Sequence, residues 1–166
     1  MSATEINIRQ QLDYEISSVF TRSGIDKLLF KSGEKITYSS FLENRMLMIY
    51  IIKEGVSYSL FSLIQQLTPL SENDWAGILG ISKKSLQRYN QSSKHFKPIQ
   101  SEKIIEIAEV TNVGVDVFGN VETFKLWLDT PNFALGKLKP IELLSDSYGK
   151  ELVLGELTRI NYGIFA

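Results

Sequence analysis

Apolar positions recur three and four apart along most of this chain, and that spacing predicts helices nearly throughout. Ile8, Leu12, Ile16, Val19 and Phe20 predict a short amphipathic helix near the start, and Ser32-Gly33 reads as a turn. A second helix is expected from about Ser39 to Glu54, carrying Phe41, Leu42, Met46, Ile49 and Tyr50, with Gly55 ending it. The apolar run Met46 to Ile52 is equally acceptable as a buried strand, and periodicity does not decide between the two. Leu60, Phe61, Ile64 and Leu67 form the next stripe, which Thr68-Pro69 breaks.

Capping residues mark the elements that follow. Ser71 is expected to cap a helix with Glu72 and Asp74 in its first turn, where carboxylates favour the dipole. Gly80 stops it and Ser82 caps the next. Ser101 is expected to start a helix carrying Ile104, Ile105 and Ala108, and Asn120 to cap one running through Trp127 and Leu128. Asp129-Thr130-Pro131-Asn132 reads as a turn, and Pro140 as the first residue of a short helix through Leu144. A last helix is expected from about Tyr148 to Asn161, with Val153, Leu157 and Ile160 on one side, before Gly163 releases an apolar tail. The expected fold class is all-α or nearly so: a helix-turn-helix domain followed by a small helical C-terminal domain.

The helix-turn-helix falls at residues 72–90. Two short helices that cross steeply need a small residue at the crossing, a glycine at the turn and an apolar plug from the second helix. Ala76, Gly80 and Leu86 supply these at the expected spacing, and Trp75, Leu79, Ile81 and Tyr89 add core. The second helix leaves Lys83, Lys84, Ser85, Gln87 and Arg88 for its outer surface. In a DNA major groove Arg suits guanine and Gln suits adenine, while Lys and Ser suit phosphates or base edges. The candidate DNA-binding set is Ser82, Lys83, Lys84, Ser85, Gln87, Arg88, Lys94 and Lys97. A merely solvated helix face is the plain alternative.

Charge decides between these only through its distribution. The net charge of −1 argues against a DNA binder. Residues 56–98, however, carry +3, and there is no acid between Ser82 and Lys97. A local basic patch is what phosphate binding requires. Residues 99–166 carry −4.

Composition narrows the rest. Apolar residues make up 43% and charged residues 22%, which suits a globular protein. With no cysteine, disulfides and thiolate metal sites are excluded. His95 is the only histidine and has no local carboxylate cluster, so no metal and no cofactor is expected. Glu102, Glu106 and Glu109 share a helix face and read as a solvated face rather than an acid–base pair. Trp75 and Trp127 read as core. The first ten residues contain Glu5 and Arg9 and no apolar run, so no signal peptide is visible. No apolar run approaches the roughly 20 residues a bilayer span needs. A cytoplasmic protein without membrane or small-molecule partners is expected, and not an enzyme.

Several further motifs stand in order. Leu79-Gly80-Ile81-Ser82 precedes Ser85-Leu86-Gln87-Arg88, followed by Ser101 with its helix and Val117-Phe118-Gly119. Then come Trp127-Leu128-Asp129-Thr130-Pro131-Asn132-Phe133-Ala134-Leu135-Gly136, Lys139-Pro140-Ile141-Glu142-Leu143-Leu144 and Gly149. The chain closes on Leu157-Thr158-Arg159-Ile160-Asn161-Tyr162-Gly163-Ile164-Phe165-Ala166. With these motifs, residues 53–166 resemble the Xre-type antitoxins of bacterial RES–Xre toxin–antitoxin modules, with their MbcA/ParS-like C-terminal domain. Residues 1–52 match no recognised pattern and form an extension of unassigned role.

The resemblance implies an Xre-like DNA-binding domain at 53–112 and a toxin-binding domain at 113–166. It implies a dimeric antitoxin that neutralises an NAD-degrading RES toxin by covering its active site, and that represses its own operon by binding operator DNA. The toxin-binding residues it points to are Arg159, Asn161, Tyr162, Gly163, Ile164, Phe165 and Ala166. One cation among large apolar groups suits an interface, where Arg and aromatics dominate the energetics. Which of them enters deepest stays open, and Tyr162 and Phe165 folding back onto the core is the plain alternative. A stand-alone repressor without a toxin is the second functional expectation.

Overall fold

The computed structural model describes residues 3–25, 35–92 and 94–163. The turn expected at Ser32-Gly33 and the terminal Ile164, Phe165 and Ala166 lie outside the described residues. Every regular element among the described residues is helical, as the pattern predicts.

The elements are α1 (Ala3–Ser23), α2 (Tyr38–Glu43), α3 (Arg45–Glu54), α4 (Tyr58–Leu67), α5 (Glu72–Leu79) and α6 (Lys83–Gln91). They continue with α7 (Pro98–Phe118), α8 (Val121–Leu128), a 3-10 turn at Phe133–Leu135, α9 (Pro140–Leu143) and α10 (Ser147–Asn161). The single helix expected over 39–54 is two helices. Asn44 leaves the helical region (φ −111°, ψ 101°) and its side chain accepts from the Met46 and Leu47 amides, so it ends α2 and caps α3. The Met46 to Ile52 run lies wholly in α3, which settles the choice against a strand.

The long helix α7 is the spine. It packs against α3, α4 and α5 on one side of the sequence and α8 and α10 on the other. Its buried residues run from Ser101 through Ile104, Ile105, Ile107, Ala108 and Val110 to Gly114. The expected domain boundary at 112/113 falls inside this helix. Burying each large aliphatic side chain contributes roughly 1.5–3 kcal/mol, so the spine ties both halves into one core.

α7 begins at Pro98, not at Ser101. Proline fits the first turn of a helix because the N–H it lacks would be unpaired there anyway. Ser101 is fully buried. Its hydroxyl accepts from the Val56 amide at 2.9 Å and donates to the Phe96 carbonyl at 3.2 Å. It bridges the chain between α3 and α4 to the chain entering α7, rather than capping a helix.

The extension packs on the helix-turn-helix region. α1 buries Ile8, Leu12, Ile16 and Phe20 and lies along α4 and α2. Two carboxylates anchor it. Asp13 accepts from the Tyr38 amide at 2.7 Å, at the start of α2, and Glu15 accepts from the Ser59 hydroxyl on α4. Phe20 also meets the rings of Phe41 and Tyr50. Burial pushes the Tyr38 hydroxyl well above the usual phenol range, against the opposing pull of Arg9.

The Glu106 and Glu109 carboxylates are not a solvated face. Glu109 pairs with Lys150 of α10 at 2.9 Å, and Glu106 with Lys103 at 3.0 Å. Lys103 also donates to Ser147 at 3.3 Å. A helix interface that includes α10 explains their burial, while Glu102 points outward as expected.

Candidate functional site

The helix-turn-helix forms as its spacing demands. Gly80 adopts a left-handed conformation (φ 63°, ψ 32°), and its amide and that of Ile81 close onto the last carbonyls of α5. Ala76 is buried at the crossing, and Leu86 is the one buried side chain of α6. Behind the unit, Trp75 meets Phe61 edge-on with ring centroids 5.1 Å apart, and Tyr89 stacks on Phe96 at 4.1 Å.

Leu86 and the partly buried Tyr89 face the core, so the opposite side of α6 faces outward. Lys83, Lys84, Gln87 and Arg88 are exposed along the helix, and Lys94 and Lys97 are exposed on the connection to α7. Ser82 and Ser85 are occupied with each other. The Ser82 hydroxyl accepts from the Ser85 amide at 3.1 Å and donates to the Ser85 hydroxyl at 3.0 Å. They also sit at the N-terminal end of α6, where backbone N–H groups favour an anion. His95 is exposed, 3.4 Å from the Glu54 carbonyl oxygen. The sequence expectation missed one residue at this surface. Glu72, fifteen positions away, accepts from the Gln87 amide nitrogen at 3.1 Å, so the face is not free of acid.

A second exposed surface of opposite chemistry lies on α10. Gly149, Val153, Glu156 and Leu157 point inward. Tyr148, Leu152 and Tyr162 are left outside, with Tyr148 84% and Tyr162 76% exposed. Four- and fourteen-residue steps bring these three onto one side of a helix. Gly149 lets α10 start hard against α9, since a Cβ there would collide with the Leu143 carbonyl. The 3-10 turn packs on α10 through buried Leu135 and leaves Phe133 78% exposed. Leu126 and Leu138 add further exposed apolar surface in this half.

Of the residues expected to bind a toxin, Arg159 is half-exposed and bonds the Glu156 carboxylate at 3.3 Å. Asn161, Tyr162 and Gly163 are exposed at the end of α10. Among the described residues no group of three or more metal-ligating side chains comes together.

The model of the Antitoxin Xre/MbcA/ParS C-terminal toxin-binding domain matches residues 114–163, and that of the Antitoxin Xre-like helix-turn-helix domain matches residues 48–109. The chain belongs to the Xre-type antitoxin family. Residues 1–47 lie outside both matches, and with them all of α1 and α2. Antitoxin Xre of Yersinia enterocolitica serotype O:8 / biotype 1B is 28% identical over 116 residues, covering 69% of this chain and 78% of that protein. Antitoxin Xre of Photorhabdus laumondii subsp. laumondii is 27% identical over 115 residues, with the same coverage of 69% and 78%. In fold, the chain resembles one from the crystal structure of the M. tuberculosis MbcT-MbcA toxin-antitoxin complex. That match has a TM-score of 0.53 at 22% identity and covers 64% of this chain and 94% of that one. The helix-turn-helix match thus precedes the toxin-binding match, and the toxin-binding domain carries the exposed aromatic surface. No helix among the described residues is long and apolar enough to cross a membrane.

Proposed function

We propose that this antitoxin neutralises a cognate RES-type, NAD-degrading toxin by covering its active site with the C-terminal segment, and that it represses its own operon through the helix-turn-helix. The observation that carries the toxin reading is the row Tyr148, Leu152 and Tyr162, exposed on one face of α10 within the toxin-binding domain. Exposed aromatic and apolar residues gathered in one patch mark a protein interface. Arg159, Asn161, Tyr162 and Gly163, with Ile164, Phe165 and Ala166 beyond them, form the segment that reaches the cleft. The division of labour falls near residue 112, with operator binding before it and toxin binding after it.

Operator binding rests on the exposed Lys83, Lys84, Gln87 and Arg88 of α6, with Ser82, Ser85, Lys94 and Lys97 at its margins. A net +3 over residues 56–98 is modest. Two units therefore act together in a homodimer in the cytoplasm, with recognition helices about 34 Å apart on an inverted repeat. The test is co-expression of an antitoxin lacking residues 162–166 with its cognate toxin, paired with a gel shift. Growth arrest with operator binding retained is the expected outcome. Full protection by the truncated chain overturns the reading of the C-terminal segment.

A further inference from the structure

A carboxylate on a surface meant for an anionic polymer weakens binding, yet Glu72 stands there; it favours the dipole of α5 from the first turn and also makes a contact beyond its own helix. Helix capping does not occupy it. Ser71 and Asp74 already form the complete capping box of α5: the Ser71 hydroxyl accepts from the Asp74 amide at 3.2 Å, and Asp74 accepts from the Ser71 amide at 2.8 Å. Glu72 is left to reach across the turn to Gln87 on α6, where it accepts from the amide nitrogen at 3.1 Å.

That bond has a direction. An ionised carboxylate has no proton to donate, so only the nitrogen end of the glutamine amide can face it. The Gln87 carbonyl oxygen is thereby turned away from Glu72, with one N–H still free. One acceptor beside one donor is the complement of adenine, whose major-groove edge offers the N6 amino donor and the N7 acceptor. Guanine offers two acceptors, N7 and O6. With its free N–H on guanine N7, Gln87 would set its carbonyl oxygen against O6; flipped to bring the nitrogen to O6, it would set that oxygen against the carboxylate and N7. The Glu72 charge also repels O6 directly.

We propose that Glu72 is a positioning residue that locks the Gln87 amide, so that α6 selects adenine against guanine at one position of each operator half-site. This rests on the operator-binding reading above. The device gives up some general affinity for discrimination, since it places a repulsive element against the wrong base.

The experiment is selection from a randomised duplex pool by the full-length protein at one fixed salt concentration, followed by gel shifts of the selected site and its single-base variants. Wild type is expected to enrich adenine at one position per half-site, with about tenfold or greater discrimination against guanine. Gln87→Ala loses that preference and no other, which identifies the position. Glu72→Gln, whose amide can face Gln87 either way round, is expected to bring discrimination down to about threefold or less. Its binding to unrelated duplex should tighten, because one negative charge is gone. An unchanged melting temperature in Glu72→Gln separates this from misfolding, since Ser71 and Asp74 still cap α5. Discrimination retained in Glu72→Gln, or guanine at the position that Gln87→Ala identifies, overturns the lock alone. A wild-type protein that enriches no sequence overturns the operator reading and the lock with it.

Discussion

The outer faces of α6 and α10 are both exposed helix surfaces, yet they share almost no chemistry. α6 buries one residue, Leu86, and shows solvent lysines, an arginine and a glutamine. α10 buries Val153 and Leu157 and shows solvent Tyr148 and Leu152, with Tyr162 at its end, beside a few polar residues such as Glu151. Water solvates the first face well and the second poorly. A face that stays apolar while exposed calls for a partner that removes it from water, whereas a basic face attracts an anion through a field that salt screens. Both faces hang on the same spine. α7 packs against α5 on one side and α10 on the other, so the two surfaces differ in chemistry without belonging to separately folded bodies.

Breaking the shared core should strike both surfaces together. Leu86→Ala should cost about 2–5 kcal/mol of stability, read by chemical denaturation, with one cooperative transition rather than two. Two separate transitions would show that the halves fold independently and that the spine does not couple them. Ser101→Ala should cost about 1–3 kcal/mol, because it strips the buried Val56 amide of its acceptor. A cost near zero would mean that the Val56 amide finds another partner. Breaking one surface should spare the other. Lys84→Ala and Arg88→Ala should each weaken operator binding by about 1–3 kcal/mol if base contacts are lost, in gel shifts at matched salt, with toxin binding unchanged. Unchanged operator affinity for both would refute the assigned face. The smallest expected effect is Ser82→Ala, about 1 kcal/mol in stability from the lost cap on α6.

Local chemistry was legible in the sequence. The helix-turn-helix, the caps at Ser71, Ser82 and Asn120 and the turn at Gly80 depend on residues within a few positions of one another, and the structure contains each of them. What the pattern missed depends on distance along the chain. Ser101 looks like a helix start locally, but its partners include Val56, forty-five residues away. Glu109 looks solvated until α10 brings Lys150 against it. Glu72 looks like a helix-start carboxylate until the turn brings Gln87 to it. Asn44 was the exception, a local break hidden because apolar residues on both sides keep the helical period. The N-terminal extension had no motif to announce its role, and only tertiary packing places α1 along α4.

In the proposed function the exposed face of α10 holds the toxin and α6 does not. Calorimetric titration of the purified cognate toxin onto two double variants separates the two faces. Tyr148→Ala with Leu152→Ala should weaken toxin binding by about 2–4 kcal/mol, the scale of buried interface anchors, and leave operator binding intact. Lys84→Ala with Arg88→Ala should bind toxin as the wild type does. Wild-type toxin affinity in the α10 variant, or a loss in the α6 variant as large as that expected for α10, would overturn that assignment.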